Sequence, residues 1–502
     1  MSSHPLIKGT LILTLASFIT KIMGFFYKIF LSHAIGAEGI GIYQLIFPIY
    51  GLAMTLAVSG IQIGISRFCG SAFSSKKQEK SWGYFLTGTL FSCTISIFLA
   101  IILYLNAGTI SSYLIREARC KSLLEIVALS LLPSTLHNCI NSWYYAKKQT
   151  EIPAFSHLLE QGIRILASWL IYQILLGHNM TATPLLAVWG MFFGEFAACL
   201  FSIVCFWLHS HKTFFFSLST YKTCAKELYG FSFPLTLNRL LFASLSSVET
   251  ILIPQRLLLF GSSSTRALEL YGVLTGMTLP FLMFPSSFTT SASTVLMPMV
   301  AGEQAKGNSK KIQTTIEQTI KYCLMLGIFA MVVFFLYGND LGTAVFHNAE
   351  AGAYLQTLAF LCPFFYLNGT LSSILTGLGK TGLCLLQNVI GLAIRIGFVL
   401  FMIPKWGMVG YLWGILASQF VVTLLNVYFI YRQVPFHFSF LTEFIFPTAA
   451  AILSTDISFF VYQKILSLQL FPMILGLLGT LGIGGICYLL LLFFMGLLIF
   501  SV

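Results

Sequence analysis

The chain has 502 residues, 57% of them hydrophobic and only 9% charged, with a mean hydropathy of +0.87. Soluble domains carry roughly 25% charged residues, so this composition excludes a soluble globular fold and reads as an integral membrane protein. The formal net charge of +12 is scattered singly rather than gathered on a basic helix or an aromatic-interleaved patch, which excludes nucleic acid as a partner.

At the N-terminus, MSSHPLIKGTLILTLASFITK has no charged leader and no small-residue cleavage site. Lys21 falls where a signal peptide would be purely apolar, so the segment reads as an uncleaved first span. Apolar runs follow near residues 8–33, 42–66, 83–105, 122–144, 156–177, 182–207, 229–253, 270–299, 317–337, 354–377, 383–403, 410–431, 440–463 and 473–500. At about 20 residues per crossing this predicts about fourteen transmembrane helices. The runs are too long and not alternating, unlike barrel strands. With the N-terminus inside, fifteen of the 28 Lys and Arg residues fall in inner loops, seven in outer loops and six within spans. The positive-inside rule then predicts both termini in the cytoplasm of a multi-pass bacterial membrane protein.

The first span carries Lys21 and Lys28, seven residues apart and so on one helix face. Thr14, Ser17 and Gly24 share that face, making a polar seam on an apolar helix. Lysine near mid-membrane costs at least ~2.5 kcal/mol on insertion scales, so Lys21 is expected to line a hydrated cavity. Lys28 is expected either to join it or to snorkel to the outer boundary. The fifth span places Arg164 four residues after Glu160, a spacing at which the two neutralise each other. Glu195 is a lone acid in the sixth span and a candidate for ion coupling. In the seventh, FSFPLTLNRLLFASLSSVETIL, Asn238 and Glu249 lie close to one face with Arg239 one step round. Asn238 and Arg239 are candidate substrate contacts, and Glu249 a candidate for coupling or charge pairing. Arg395, in the eleventh span, has no acid at helical spacing.

Pro48, Pro280 and Pro285 interrupt the second and eighth spans and are expected to bend them. GLGKTG (377–382) fits neither a dinucleotide fingerprint nor a P-loop, because no strand precedes it and residue 374 is isoleucine. GxxxG at Gly60/Gly64, Gly190/Gly194, Gly272/Gly276 and Gly410/Gly414 predicts close helix contacts. Eleven cysteines without CxxC spacing read as small buried residues, not a disulfide framework. His209 and His211 form an isolated HxH without further ligands, so no metal site and no cofactor are expected.

The chain also repeats itself. QGIRIL (161–166) and LAIRIG (392–397) place Arg164 and Arg395 alike, 231 residues apart, and VWGMFFGEF (188–196) resembles LWGILASQF (412–420), 224 residues on. An offset spanning six helices preserves orientation, which predicts two parallel six-helix repeats. The expected organisation is an N-terminal lobe over 1–210, a second lobe over 211–435 and two additional transmembrane helices over 436–502.

The opening KGTLILTLASFITKIMGFFYKIFLSHAIGAEGIGIYQLIFPIYGL, with its TK-x-x-GFFYK-x-FLS and GAEG-x-G-x-YQL patterns, resembles the stage V sporulation protein B group of polysaccharide-biosynthesis membrane proteins. These belong to the multidrug/oligosaccharidyl-lipid/polysaccharide exporter superfamily, which includes MurJ-type flippases. The resemblance implies alternating-access export of an undecaprenyl-pyrophosphate-linked saccharide, such as a peptidoglycan precursor, by a protein that is not an enzyme. Membrane lipids and a coupling ion or the membrane potential are the other implied partners. It also implies cationic residues around a central cavity, on which Lys21 falls directly; the next family position is Tyr27, one residue before Lys28. The arginines expected in the second and eighth spans are absent around Pro48 and Pro280. Two other readings stand beside it: a multidrug cation antiporter, which favours carboxylates in its cavity, and a membrane glycosyltransferase or polymerase, which requires an acidic catalytic loop.

Overall fold

The computed structural model describes residues 5–209, 218–467 and 473–496, which are helical almost throughout, with no strand among them. His211 of the HxH pair lies outside them. Eleven helices are long and apolar enough to cross a membrane, or twelve if the bent pair Ser264–Met283 and Ser286–Ala305 is one span. The chain is therefore an all-α multi-pass membrane protein. Apolarity supports eleven to twelve spans among the described residues rather than fourteen. The remaining two runs fall on helices Glu151–Gly177 and Leu218–Leu259, long enough to cross at 27 and 42 residues but interrupted by charge.

Internal contacts divide the chain into two compact units, Met1–Gln255 with Ser263–Gly272, and Arg256–Ser262 with Val273–Val502. The first unit contains α1 (Pro5–Gln44), α2 (Phe47–Met54), a π-helical turn at Thr55–Ser59, α3 (Gly60–Ser74), α4 (Gln78–Leu105), the one-turn α5 (Ala107–Thr109), α6 (Cys120–Ala146), α7 (Glu151–Gly177), α8 (Leu185–His209), most of α9 (Leu218–Leu259) and α10 (Ser264–Gly272). A loop is expected between the first two apolar runs, near residues 34–41. Instead α1 runs on to Gln44 and is bent only at Gly36, where φ is 69°. Glycine takes positive φ without steric cost, so one residue turns the helix and its neighbours stay helical.

Glycines set the helix crossings of this unit. A Cβ on Gly272 would collide with the Ala37 carbonyl, which brings α10 tight against α1. Gly60 and Gly64 likewise admit Leu228, Ser232 and Thr236 of α9. The apolar core includes Ile61, Ile65, Trp143, Tyr144 and Leu228.

The second unit contains α11 (Leu279–Met283), α12 (Ser286–Ala305), α13 (Ser309–Phe346), α14 (Ala349–Leu358), α15 (Cys362–Gly377), α16 (Thr381–Phe401), α17 (Ile403–Trp406), α18 (Met408–Gln433), α19 (Phe446–Ser467) and α20 (Met473–Phe494). The break before α12 bends the span by 63° beside Pro285, as proline's lost N–H and ring clash require. Asn308 and Asn348 cap α13 and α14, accepting from the backbone N–H of Lys311 and Ala351. The core of this unit gathers Ile316, Ile328, Leu371, Ile374, Ile430 and Tyr488.

Each unit contains the same local turn. α6 ends in a left-handed residue at Lys148 (φ 60°) and α15 in one at Gly379 (φ 76°), 231 residues later. This is the offset that relates Arg164 to Arg395.

Candidate functional site

The polar residues of α7 form one stripe. His157, Glu160, Gln161, Arg164 and Ser168 recur at three- and four-residue steps, which places them on a single face. Arg164 forms the expected ion pair with Glu160 on its own helix, and its Nη1 donates to Gln161 Oε1 at 3.4 Å.

Glu195 of α8 is not the lone acid that its sequence context suggests. Its Oε1 lies 3.8 Å from Arg164 Nη2, and its Oε2 lies 3.7 Å from His137 Nδ1 of α6. Glycine explains why α8 comes so near α7. A Cβ on Gly194 would sit 2.7 Å from the Glu160 carbonyl, and one on Gly190 2.8 Å from the Arg164 carbonyl. With hydrogen at both positions the backbones touch, and the next residue, Glu195, is carried to the guanidinium.

Three further side chains complete the cluster. The His157 imidazole stands 3.5 Å from Glu160 Oε2 and meets the His137 ring edge-on at 5.5 Å. The Tyr50 hydroxyl of α2 donates toward Ser134 Oγ at 3.1 Å and Glu195 Oε1 at 3.4 Å. His137 and Glu195 are buried, with side chains 2% and 9% exposed. Both His137 ring nitrogens and Glu195 Oε2 lack a hydrogen-bond partner. An unpartnered buried polar atom costs about 1–3 kcal/mol, so three such atoms on two neighbouring side chains call for an explanation, such as a proton, water or ion held there.

The donor atoms of His137, His157 and Glu160 lie within 4.8 Å of one another, a spacing that a metal accepts. The set nevertheless does not fit a metal. Glu160 is already held by Arg164, and a guanidinium at this distance repels a divalent cation.

The residues expected to bind substrate sit on other helices, α1 and α9. Lys21 is exposed and Lys28 half-buried on α1. Their helix packs on α7, with Gly24 close to the Gln161 amide. Asn238 and Arg239 are exposed on α9, and Arg239 Nη1 donates to Ser59 Oγ at 3.1 Å, on the π-helical turn. Glu249, further along α9, is buried near Tyr271 of α10. Arg395 is half-buried on α16 in the second unit. The structure thus joins Arg164 to Glu160 and Glu195, and adds Tyr50, His137 and His157, which no local motif marks.

A family profile described as polysaccharide biosynthesis protein matches residues 6–304, and the MatE profile matches residues 256–401. The chain is 26% identical to stage V sporulation protein B of Bacillus subtilis over 443 residues, covering 87% of this chain and 85% of that one. It is 23% identical to lipid II flippase MurJ of the same organism, covering 78% and 76% of the two chains. Among solved structures, a lipid II flippase MurJ in an inward closed conformation superposes with a TM-score of 0.68 at 15% identity, over 97% of this chain and 99% of that one. An inward-facing multidrug resistance MATE family transporter of the MOP superfamily superposes with a TM-score of 0.63 at 14% identity, over 85% and 98%. These superpositions show a shared fold. The family match spans more than half of the chain, and the chain belongs to the polysaccharide biosynthesis protein family.

Proposed function

We propose that this protein is a flippase that moves a lipid-linked saccharide with a pyrophosphate headgroup, of the undecaprenyl-linked type, across the cytoplasmic membrane by alternating access. One observation carries the reading. Within the apolar runs of the first unit, Lys21 and Arg239 are the exposed charged side chains among those described, while Glu195 and Glu249 are buried. An exposed ammonium in a span is costly in lipid, and a cavity through which an anion passes gives it a use. The relatives named stage V sporulation protein B and lipid II flippase MurJ point to the same class of cargo. A cation antiporter of the related MATE fold favours the opposite arrangement, with accessible carboxylates and hidden cations. Lys21, Lys28, Asn238 and Arg239 are the residues we assign to the headgroup.

The test is depletion of the protein in cells that lack other flippases, followed by assay of undecaprenyl-linked precursors on the two leaflets. Accumulation on the inner leaflet is expected. An unchanged distribution overturns the reading. The proposed orientation puts both termini and the Lys76–Lys80 loop in the cytoplasm. In a cysteine-depleted variant, a cysteine at Asn179 is then labelled from outside intact cells and one at Ser75 is not.

A further inference from the structure

The geometry points to a proton-binding site inside the first unit, shared by the His137 imidazole and the Glu195 carboxylate. It rests on the transporter reading for its use as a coupling site, but not for its existence.

The chain supplies its own control. By the offsets found in the sequence, His137 of α6 corresponds to Asn368 of α15, and Glu195 of α8 to Gln419 of α18. The left-handed turns at Lys148 and Gly379 fix the first correspondence. Gly190 and Gly414, the close-contact glycines against α7 and α16, fix the second. In the second unit Asn368 Nδ2 donates to Gln419 Oε1 at 2.9 Å, and Asn426 donates to Asn368 Oδ1. This is a neutral amide network, and its matching contact is a direct hydrogen bond. In the first unit the matching pair is ionisable and open, with His137 Nδ1 at 3.7 Å from Glu195 Oε2 and both atoms unpartnered. The same contact between repeats is thus built once without and once with a titratable proton.

Charge gives the direction. With neutral imidazoles, Glu160, Glu195 and Arg164 leave the buried cluster one negative charge in excess. A single proton taken from water onto His137 brings the sum to zero. It also makes both ring nitrogens donors, one of them facing the free Glu195 oxygen, and the pair closes into a charge-assisted hydrogen bond. Release to water reverses the step with no other reactant.

The groups around His137 come from every neighbouring helix. They are Tyr50 of α2, His157, Glu160 and Arg164 of α7, and Glu195 and Cys199 of α8, with Cys93 of α4 near Cys139 and Cys199. Tyr27 and Tyr43 of α1 stand near Arg164. Cys69 of α3 is bonded instead to the Ser81 carbonyl, and Tyr113 of the turn after α5 is exposed. Arg164 is the one fixed cation in this set, and it is already engaged by Glu160.

The experiment is a ring-nitrogen NMR titration from about pH 5 to 9 of the full-length, histidine-labelled protein in lipid nanodiscs without cargo, because unperturbed histidine titrates near 6.5. The signal lost in His137→Asn identifies the residue. We expect it to titrate in the parent, with its midpoint moved by about one pH unit or more in Glu195→Gln. The double variant His137→Asn with Glu195→Gln copies the amide pair of the second unit, so we expect it to fold with its thermal transition retained while proton-gradient dependence of cargo flipping disappears. No His137 transition, or one indifferent to Glu195→Gln, overturns the proposal. So does unfolding of the double amide variant, which would make the pair a packing element. Displacement of the His137 titration by micromolar Zn²⁺ alone, lost on His157→Ala, overturns it in favour of a metal site. Because the titration uses no cargo, a failure of the lipid-linked saccharide reading leaves this result standing.

Discussion

The Tyr27 hydroxyl lies 2.8 Å from Ser168 Oγ, and Ser168 in turn donates to the Leu186 carbonyl at 3.3 Å. With the serine proton committed to the carbonyl, Tyr27 is the donor, and a two-bond chain ties α1 to α7 and α7 to α8. It runs one turn beyond Arg164, on the same face of α7. The helix that carries Lys21 and Lys28 is therefore fastened to the helices that carry the buried ionic cluster.

Tyr27→Phe removes the first bond and leaves the second. Because Ser168 keeps its own acceptor, no donor is stranded, and the expected cost is about 1 kcal/mol. A thermal melt of the purified protein checks it. Ser168→Ala removes both bonds and is expected to cost more, since the buried tyrosine hydroxyl then has no acceptor.

The α7–α8 crossing is expected to reject any side chain at its glycines. A Cβ on Gly190 meets the Ser168 hydroxyl and the Arg164 carbonyl, whereas one on Gly397 of α16 meets nothing within 4 Å. Gly190→Ala should therefore destabilise by about 1–3 kcal/mol through overpacking. Gly397→Ala should be neutral or stabilising by up to about 1 kcal/mol from helix propensity. Comparing folded yield and melting temperature of the two variants decides whether contact or composition governs the position.

What was legible in the sequence were the relations that lie on one helix. The Glu160–Arg164 pair follows from its four-residue spacing, and the α7–α8 contact from GxxxG at Gly190 and Gly194. What was not legible were relations across helices. Glu195 finds Arg164, and His137 finds Glu195, only after α6, α7 and α8 have packed in a particular register. His137 and His157 are twenty residues apart on different helices, so no local motif marks them. The signal that was available lies in the repeat, where aligning the halves sets His137 against Asn368 and Glu195 against Gln419. The bend of α1 was hidden for another reason. Gly36 alone departs from helix in a stretch whose composition resembles a loop.

At the start of α6, Arg119 donates to Glu117 from Nε at 2.7 Å and to Glu38 of α1 from Nη1 at 2.7 Å. The Arg119 guanidinium holds the Glu117 carboxyl below its ordinary pKa, and the two carboxylates raise that of Arg119. A carboxyl whose folded pKa is depressed adds stability above its unfolded value, about 4.3, and loses it as pH falls through the folded value. The melting temperature should fall as pH drops below about 4.3, and part of that fall should vanish in Glu117→Gln. At neutral pH Arg119→Ala should cost about 1 kcal/mol or less from the exposed Glu38 pair, with a further loss from the buried Glu117 left unbonded. A pH series of melts on the parent and the two variants checks both.

Lys21 gives the sharpest test of the cargo assignment. If it binds phosphate, charge and reach both count. Lys21→Arg should keep partial function, because guanidinium also binds phosphate but as a planar fork of greater bulk. Lys21→Ala and Lys21→Gln should lower flipping by roughly ten- to a hundredfold, the worth of one charge-assisted contact of about 1.5–3 kcal/mol. Expression should stay normal, since a neutral side chain inserts into lipid more easily than an ammonium. Lys28 is half-buried on the same α1 face, and Lys28→Ala should be comparably severe if it joins the headgroup site and mild if it snorkels. The competing structural role for Lys21 is to neutralise an internal acid such as Glu249. That role predicts the reverse for the double variant Lys21→Ala with Glu249→Ala: once both charges are gone nothing is left unpaired, and function returns. Glu249 is buried near Tyr271 of α10, so its removal alone is expected to act on packing rather than on cargo. Precursor flipping in cells lacking other flippases should stay low in the double variant, and its recovery there would remove Lys21 from the phosphate site.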